Sequence, residues 1–126
     1  MAAGKYSFVI EQGATLDFEI QYKDSDNVPI DLTNYSGRMH IRSSIADNTI
    51  IAALSSSLDV DGSGLNFSGS NGTTPPTSGS IGVYLSATSS SLLAFDQAVY
   101  DLEIQSGSRV IRLLEGQIRL SKEVTR

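Results

Sequence analysis

Along most of this chain apolar and polar residues alternate with a period of two, the repeat of a strand with one face on a core and one in water. In TLDFEIQYK, Leu16, Phe18, Ile20 and Tyr22 alternate with Asp17, Glu19 and Gln21. Asp24, Ser25, Asp26 and Asn27 then form a turn cluster, and Val28-Pro29-Ile30 resumes an extended path. Pro29 has no N–H to give to a ladder, which predicts an edge or a bulge there. In GRMHIR, Met39 and Ile41 point one way and Arg38, His40 and Arg42 the other, a half-buried strand with a basic outer row.

A short strand over Thr49 to Leu54 leads into a change of texture. From Ser55 to Ser80, Ser, Thr and Gly fill 16 of 26 positions, with Pro75-Pro76 near the end. Leu65 and Phe67 alternate within it, so one brief strand between loops is expected. Ser80 to Leu85 reads as a strand. ATSSSLLAF suits one helical turn capped by Thr88 or Ser89. Tyr100, Leu102 and Ile104 alternate with Asp101, Glu103 and Gln105, and Ser106-Gly107-Ser108 makes a hairpin turn back into Arg109 to Glu115. Gly116 permits a bend or bulge before Gln117 to Lys122, where Ile118 and Leu120 face inward. About eight or nine short strands at this spacing predict a two-sheet, all-β sandwich with at most one helical turn. The 126 residues fit one domain, 1–126, with 55–80 a strand-and-loop region inside it.

Composition narrows the function classes. The net charge is −5 and the isoelectric point is near 4.6, which argues against a nucleic-acid partner. There is no cysteine, so thiol nucleophiles, disulfides and Cys-ligated metals are excluded. MAAGKYSFVIEQ lacks the charged-then-apolar design of a secretory signal. The longest apolar run, Ile50 to Leu54, is far too short to span a bilayer as a helix, so no membrane insertion is expected. If the chain leaves its cell, it does so by lysis or as part of something larger.

Candidate chemistry is sparse. His40 is the one histidine, set between Arg38 and Arg42 with no carboxylate nearby in sequence to orient it for acid–base work. No Ser sits in a G-x-S-x-G elbow, and Gly62, Gly64, Gly69 and Gly72 lack the spacing of a phosphate loop. An enzyme is not expected, nor is a cofactor. DVDGSG offers Asp59, Asp61, Ser63 and Gly64 as half of a calcium loop, but the closing position is Ser70 instead of a bidentate glutamate. An ordinary turn is the better reading there, and also at Asp24 and Asp26. Sequons at Asn34, Asn66 and Asn71 are read as accidents of a Ser/Thr-rich chain. A sugar-binding platform lacks Trp; Tyr6, Tyr22, Tyr84 and Tyr100 lie on apparently buried rows, leaving Tyr35 as the exposed aromatic. Asp31 and Thr33 are expected to bond turn backbone, with Leu32 serving the fold. What remains is protein–protein contact through strand edges near both ends, with 55–80 as a candidate contact loop.

The order of segments resembles a known group. VPIDLTNYSGRMHIR, the Gly/Ser-rich middle, GSIGVYLSATSSSLLAFDQAVYDLEIQ and the ending RVIRLLEGQIRLSKEVTR are similar to small Ig-like β-sandwich tail proteins of tailed bacteriophages, including N-terminal domains of baseplate upper proteins. The likeness runs from about Gly13 to Arg126. It implies an Ig-like antiparallel sandwich in the virion, synthesised in the host cytoplasm. The resemblance also implies the role of a baseplate or tail-fibre adaptor that holds neighbouring tail proteins in several symmetric copies, without catalysis. The chain lacks the coiled-coil heptads and receptor-binding domain of multidomain members, which favours a connector. The rival expectation is a sugar- or calcium-dependent binding module of a bacterial surface protein.

Overall fold

Nine strands in two packed sheets account for nearly half of the residues described by the computed structural model, which are 4–60, 62–69, 72–73 and 75–124. In chain order they are β1 (Gly4–Lys5), β2 (Phe8–Glu11), β3 (Leu16–Gln21), β4 (Ser36–Arg42), β5 (Ala52–Ser55), β6 (Gly64–Asn66), β7 (Ser80–Leu85), β8 (Gln97–Ser106) and β9 (Arg109–Ser121). A 3₁₀ turn at Pro76–Ser78 precedes β7, and one helical turn, α1 (Ala87–Ser91), follows it. The larger sheet runs β1-β9-β8-β4-β5, with β2 also on β9; the smaller runs β3-β7-β6. Strands β3 to β9 thus take the B, C, C′, D, E, F and G positions of an Ig-like sandwich. The expected all-β sandwich is the fold.

Between the sheets lie the inward residues that the alternation picks out on β4, β8 and β9, joined by those of β7. Met39 and Ile41 of β4, Ile81 and Val83 of β7, Leu102 and Ile104 of β8, and Ile118 of β9 are each at most 1% exposed. Leu32 joins them from the loop before β4, and its N–H donates to Pro76 O at 3.0 Å, tying the long Ser/Gly-rich stretch to the opposite end of the core. Each such side chain is worth roughly 1.5–3 kcal/mol of burial, so the two-residue period directly encodes the sandwich.

Several boundaries differ from expectation, each for a visible reason. β5 begins at Ala52 because Asn48 to Ile50 belong to a loop organised by Asp47, whose carboxylate accepts from the Ser43 hydroxyl and the Thr49 N–H. The N-cap of α1 is Ser86, not Thr88 or Ser89: its Oγ accepts from Ser89 N, while its own N–H donates to Ser63 Oγ. The β-bulge of β9 lies at Leu113 and not at Gly116. Leu102 faces Leu114 and Glu103 faces Arg112, so Leu113 is the extra residue. That insertion reconciles inward Ile111 with inward Ile118 and Leu120, which have opposite parity.

The antiparallel rule holds for every named strand pairing except those of β1 and β2. β1 and β2 run parallel to β9 in one shared register, Gly4 beside Leu114 and Phe8 beside Ile118. Between them the backbone kinks at Tyr6 and Ser7. The kink fits because residue 116 is glycine: a Cβ there would stand 2.1 Å from the Tyr6 carbonyl oxygen. Tyr100, opposite Gly116 across the β8–β9 ladder, donates its hydroxyl to that same oxygen at 2.6 Å. Ser7 Oγ accepts from Gln117 N–H at 3.2 Å, where a regular strand would have offered a carbonyl. Phe8 then packs tilted against Phe18 and edge-on to Tyr100, with centroids 5.1 and 5.2 Å away, and so seals the seam between the sheets.

Gly116→Ala is expected to destabilise the fold by at least about 2 kcal/mol in urea denaturation, because the new methyl displaces Tyr6. Tyr100→Phe should cost ~1–2 kcal/mol, the loss of one buried hydrogen bond. Burial, with Tyr6 adding, pushes the Tyr100 phenol up to about 12. The unfolded chain ionises near pH 10 while the folded one holds its proton, so this group's stabilisation falls as pH rises from about 10 to 12. Stability measured across that window should fall more steeply in the wild type than in Tyr100→Phe.

Candidate interaction surfaces

The outer face of the larger sheet carries three of the four ion pairs found among the described residues. Strand alternation sets Arg38, His40 and Arg42 outward on β4, Asp101 and Glu103 on β8, and Arg112, Glu115 and Gln117 on β9. Cross-strand register then pairs them: Arg38 with Glu103 at 2.9 Å, Arg112 with Asp101 at 3.6 Å, and Lys5 of β1 with Glu115 at 2.8 Å. Lys5 first among the causes holds the Glu115 carboxyl below its usual range, with Arg112 adding a smaller effect. These pairs are exposed and screened by solvent, so each contributes little to folding. Their consequence is positional, since they hold long side chains in a fixed alternating array. The array lines a shallow concavity of about 770 Å³ whose floor includes Val99 and Tyr100 and whose rim includes exposed Ile45.

His40 lies in this face, half-buried, and the register sets it opposite Asp101. Sequence reading missed that carboxylate, because the two residues are 61 positions apart and meet only through the β4–β8 ladder. Asp101 directs its carboxylate to Arg112, however, so His40 gains a neighbour without gaining an orienting hydrogen bond.

The other singled-out residues lie apart from one another and are absorbed by turns. Asp24 Oδ1 accepts from Asp26 N and Val28 N, with Asn27 in the left-handed region at φ 66°. Asp31 Oδ1 accepts from Thr33 Oγ1 at 2.6 Å and from Thr33 N at 2.9 Å, bonds that hold its pKa below the ordinary carboxylate value. At the calcium-like sequence, Asp59 N donates to Ser63 O and Gly62 N to Asp59 O, closing a tight turn. Ser63 is 2% exposed and its hydroxyl faces Ser86 N inside the molecule. It therefore cannot converge with the Asp59 carboxylate on a surface ion. Asp61, Ser70 and the Asn71 sequon lie outside the described residues. Asn34 sits at φ 70° in the turn after Leu32, and Asn66 caps a turn by accepting from Ser68 N. Among the described residues no three His, Cys, Asp or Glu side chains gather to hold a metal, and no helix is long and apolar enough to cross a membrane.

The aromatic expectation reverses in one place. Tyr6 is 45% exposed, whereas Tyr35 is half-buried against the core. Tyr6 lies in the kink where the strand's alternation breaks, so its row in the sequence did not report its face. Tyr22 and Tyr84 are half-buried and Tyr100 is buried.

A second site is a hub that joins chain segments distant in sequence. Ser90 of α1 is fully buried; its Oγ accepts from Gly13 N at 3.1 Å and donates to Ala14 O at 2.7 Å. Gln12 Nε2 donates to Leu93 O, and Gln12 Oε1 accepts from Glu123 N. The β2–β3 turn, α1 and the end of β9 are thereby fixed to one another. This is structural work, and nothing in it activates a nucleophile. No protein-family model and no curated protein matches this chain.

Adding millimolar calcium is expected to leave the melting temperature unchanged, since Ser63 is turned inward. A rise of several degrees that Asp59→Asn removes would contradict this. Ser90→Ala should cost about 1–3 kcal/mol, because Gly13 N and Ala14 O then lose a buried partner.

Proposed function

We propose that the chain is a structural component of a tailed-phage virion, a baseplate or tail-fibre connector that binds neighbouring tail proteins without catalysis. The observation that carries this reading is the outer face of the larger sheet. It is a rigid, ion-paired array across β1, β9, β8 and β4, offering complementary charges to another protein surface and not a cleft that closes on a small substrate. The Ig-like strand order supports the resemblance to small tail-protein sandwiches seen in the PIDLT, YDLEI and RLLEGQIRLSKEVT segments. In a symmetric tail, several copies would engage at once, so contacts that are weak singly add into a stable joint.

Quantitative peptide mass spectrometry on gradient-purified particles from a lysate of the source tests the proposal. The expected result is detection at a constant, low copy number relative to the major capsid protein. Absence from intact particles would sink it.

A further inference from the structure

The smaller sheet ends in an edge unlike the others. β5 has four residues, β6 has three, and the β1–β2 edge is broken by the kink at Tyr6. β3 has six residues without a break, and no strand lies on its outer side among the described residues. The open edge continues past the strand. Tyr22 N donates to Gly79 O, Ile30 N to Tyr22 O, and Lys23 bridges Pro29, all on the side already occupied by β7. The even-numbered residues of this segment therefore bond inward to β7 and its extension. The backbone groups of Asp17, Gln21 and Lys23 face the open side.

Two further features show what the edge lacks. The inward side chains of β7, Ile81, Val83 and Leu85, are at most 5% exposed, yet Leu16, Phe18 and Ile20 on β3 are only half-buried although they face the same core. A strand laid beside β3 would cover them. The ends of the edge also carry unspent charge, since Asp17 and Lys23 are exposed and neither joins the ion pairs found among the described residues.

We infer that β3 is a homodimer edge whose occupant is the same strand of a second copy, antiparallel about a two-fold axis at Ile20. In that register Asp17 faces the second copy's Lys23 on both sides of the axis, and Glu19 faces Gln21. On the inner face Phe18 meets Tyr22 and Ile20 meets its own copy. The two three-stranded sheets become one of six strands, with a self-complementary charge pattern. Moving the axis to Glu19 would set that carboxylate against itself, so the acidic row selects the register while blocking the adjacent one. The inference rests on the edge alone and is independent of the virion reading.

Sedimentation equilibrium of the purified chain tests it, with circular dichroism confirming that the exposed substitutions leave the fold intact. The wild type is expected to dimerise in the micromolar range. Asp17→Lys alone, or Lys23→Asp alone, should weaken dimerisation by about tenfold or more, since each places two like-charge pairs across the axis. The double exchange of Asp17→Lys with Lys23→Asp should restore it. A chain that stays monomeric at all concentrations overturns the inference, as does a dimer indifferent to the single reversals or a double exchange as weak as either one.

Discussion

One carbonyl oxygen, that of Tyr6, sits where the architecture is decided. It occupies the space that a side chain at Gly116 would fill and accepts the Tyr100 hydroxyl at 2.6 Å. Because this bond is part-buried and its donor ring is itself buried with Phe8 packed edge-on to it, its loss would leave the Tyr6 carbonyl without its side-chain donor. The kink it stabilises lets one N-terminal strand pair with β9 on both sides of the break while Phe8 packs across to the other sheet. The N-terminal strand is thus committed to the larger sheet. Among the described residues, β3 consequently has no strand on its outer side.

Much of this fold was legible because it rests on alternation. The inward rows of β3, β4 and β8 are named residue by residue by the period of two; those of β4 and β8 are in the core, and that of β3 packs half-buried against it. The strand count and the single helical turn follow from the same pattern and its Ser, Gly and Asp punctuation. What escaped was set by partners remote in sequence. The parallel pairing of β1 and β2 depends on Gly116 and Tyr100, some 110 and 94 residues away from Tyr6. Gly116 did stand out, but as a bend; its use is close backbone approach, which glycine permits equally. The parity change between Ile111 and Ile118 did demand a bulge, and the chain placed it at Leu113, where an apolar side chain can still be buried.

The candidate surface is less legible for the same reason. A basic row on one strand and acidic residues on another look like two solvated faces until the ladder interleaves them. Arg38, Asp101 and Glu115 belong to one array only because β8 lies between β4 and β9. By contrast, the acidic turns that invited a metal reading spend their oxygens on neighbouring amides, as Asp24 and Asp31 do. Local hydrogen bonding explains those residues, while cross-strand geometry explains the ones arrayed on the outer face of the larger sheet.

The account depends most on the N-terminal strand being held as firmly as the core. Amide hydrogen exchange at Tyr6 and Gln12 tests that directly, because their N–H groups bond to Glu115 O and Ser121 O, one beside the kink and one beyond it. Protection close to that of the β8 core amides, lost at Tyr6 when Tyr100 is replaced by Phe, is the predicted result. Rapid exchange at both amides in the native chain would contradict it, showing that the strand frays and that the Tyr100 bond does not fix the edge.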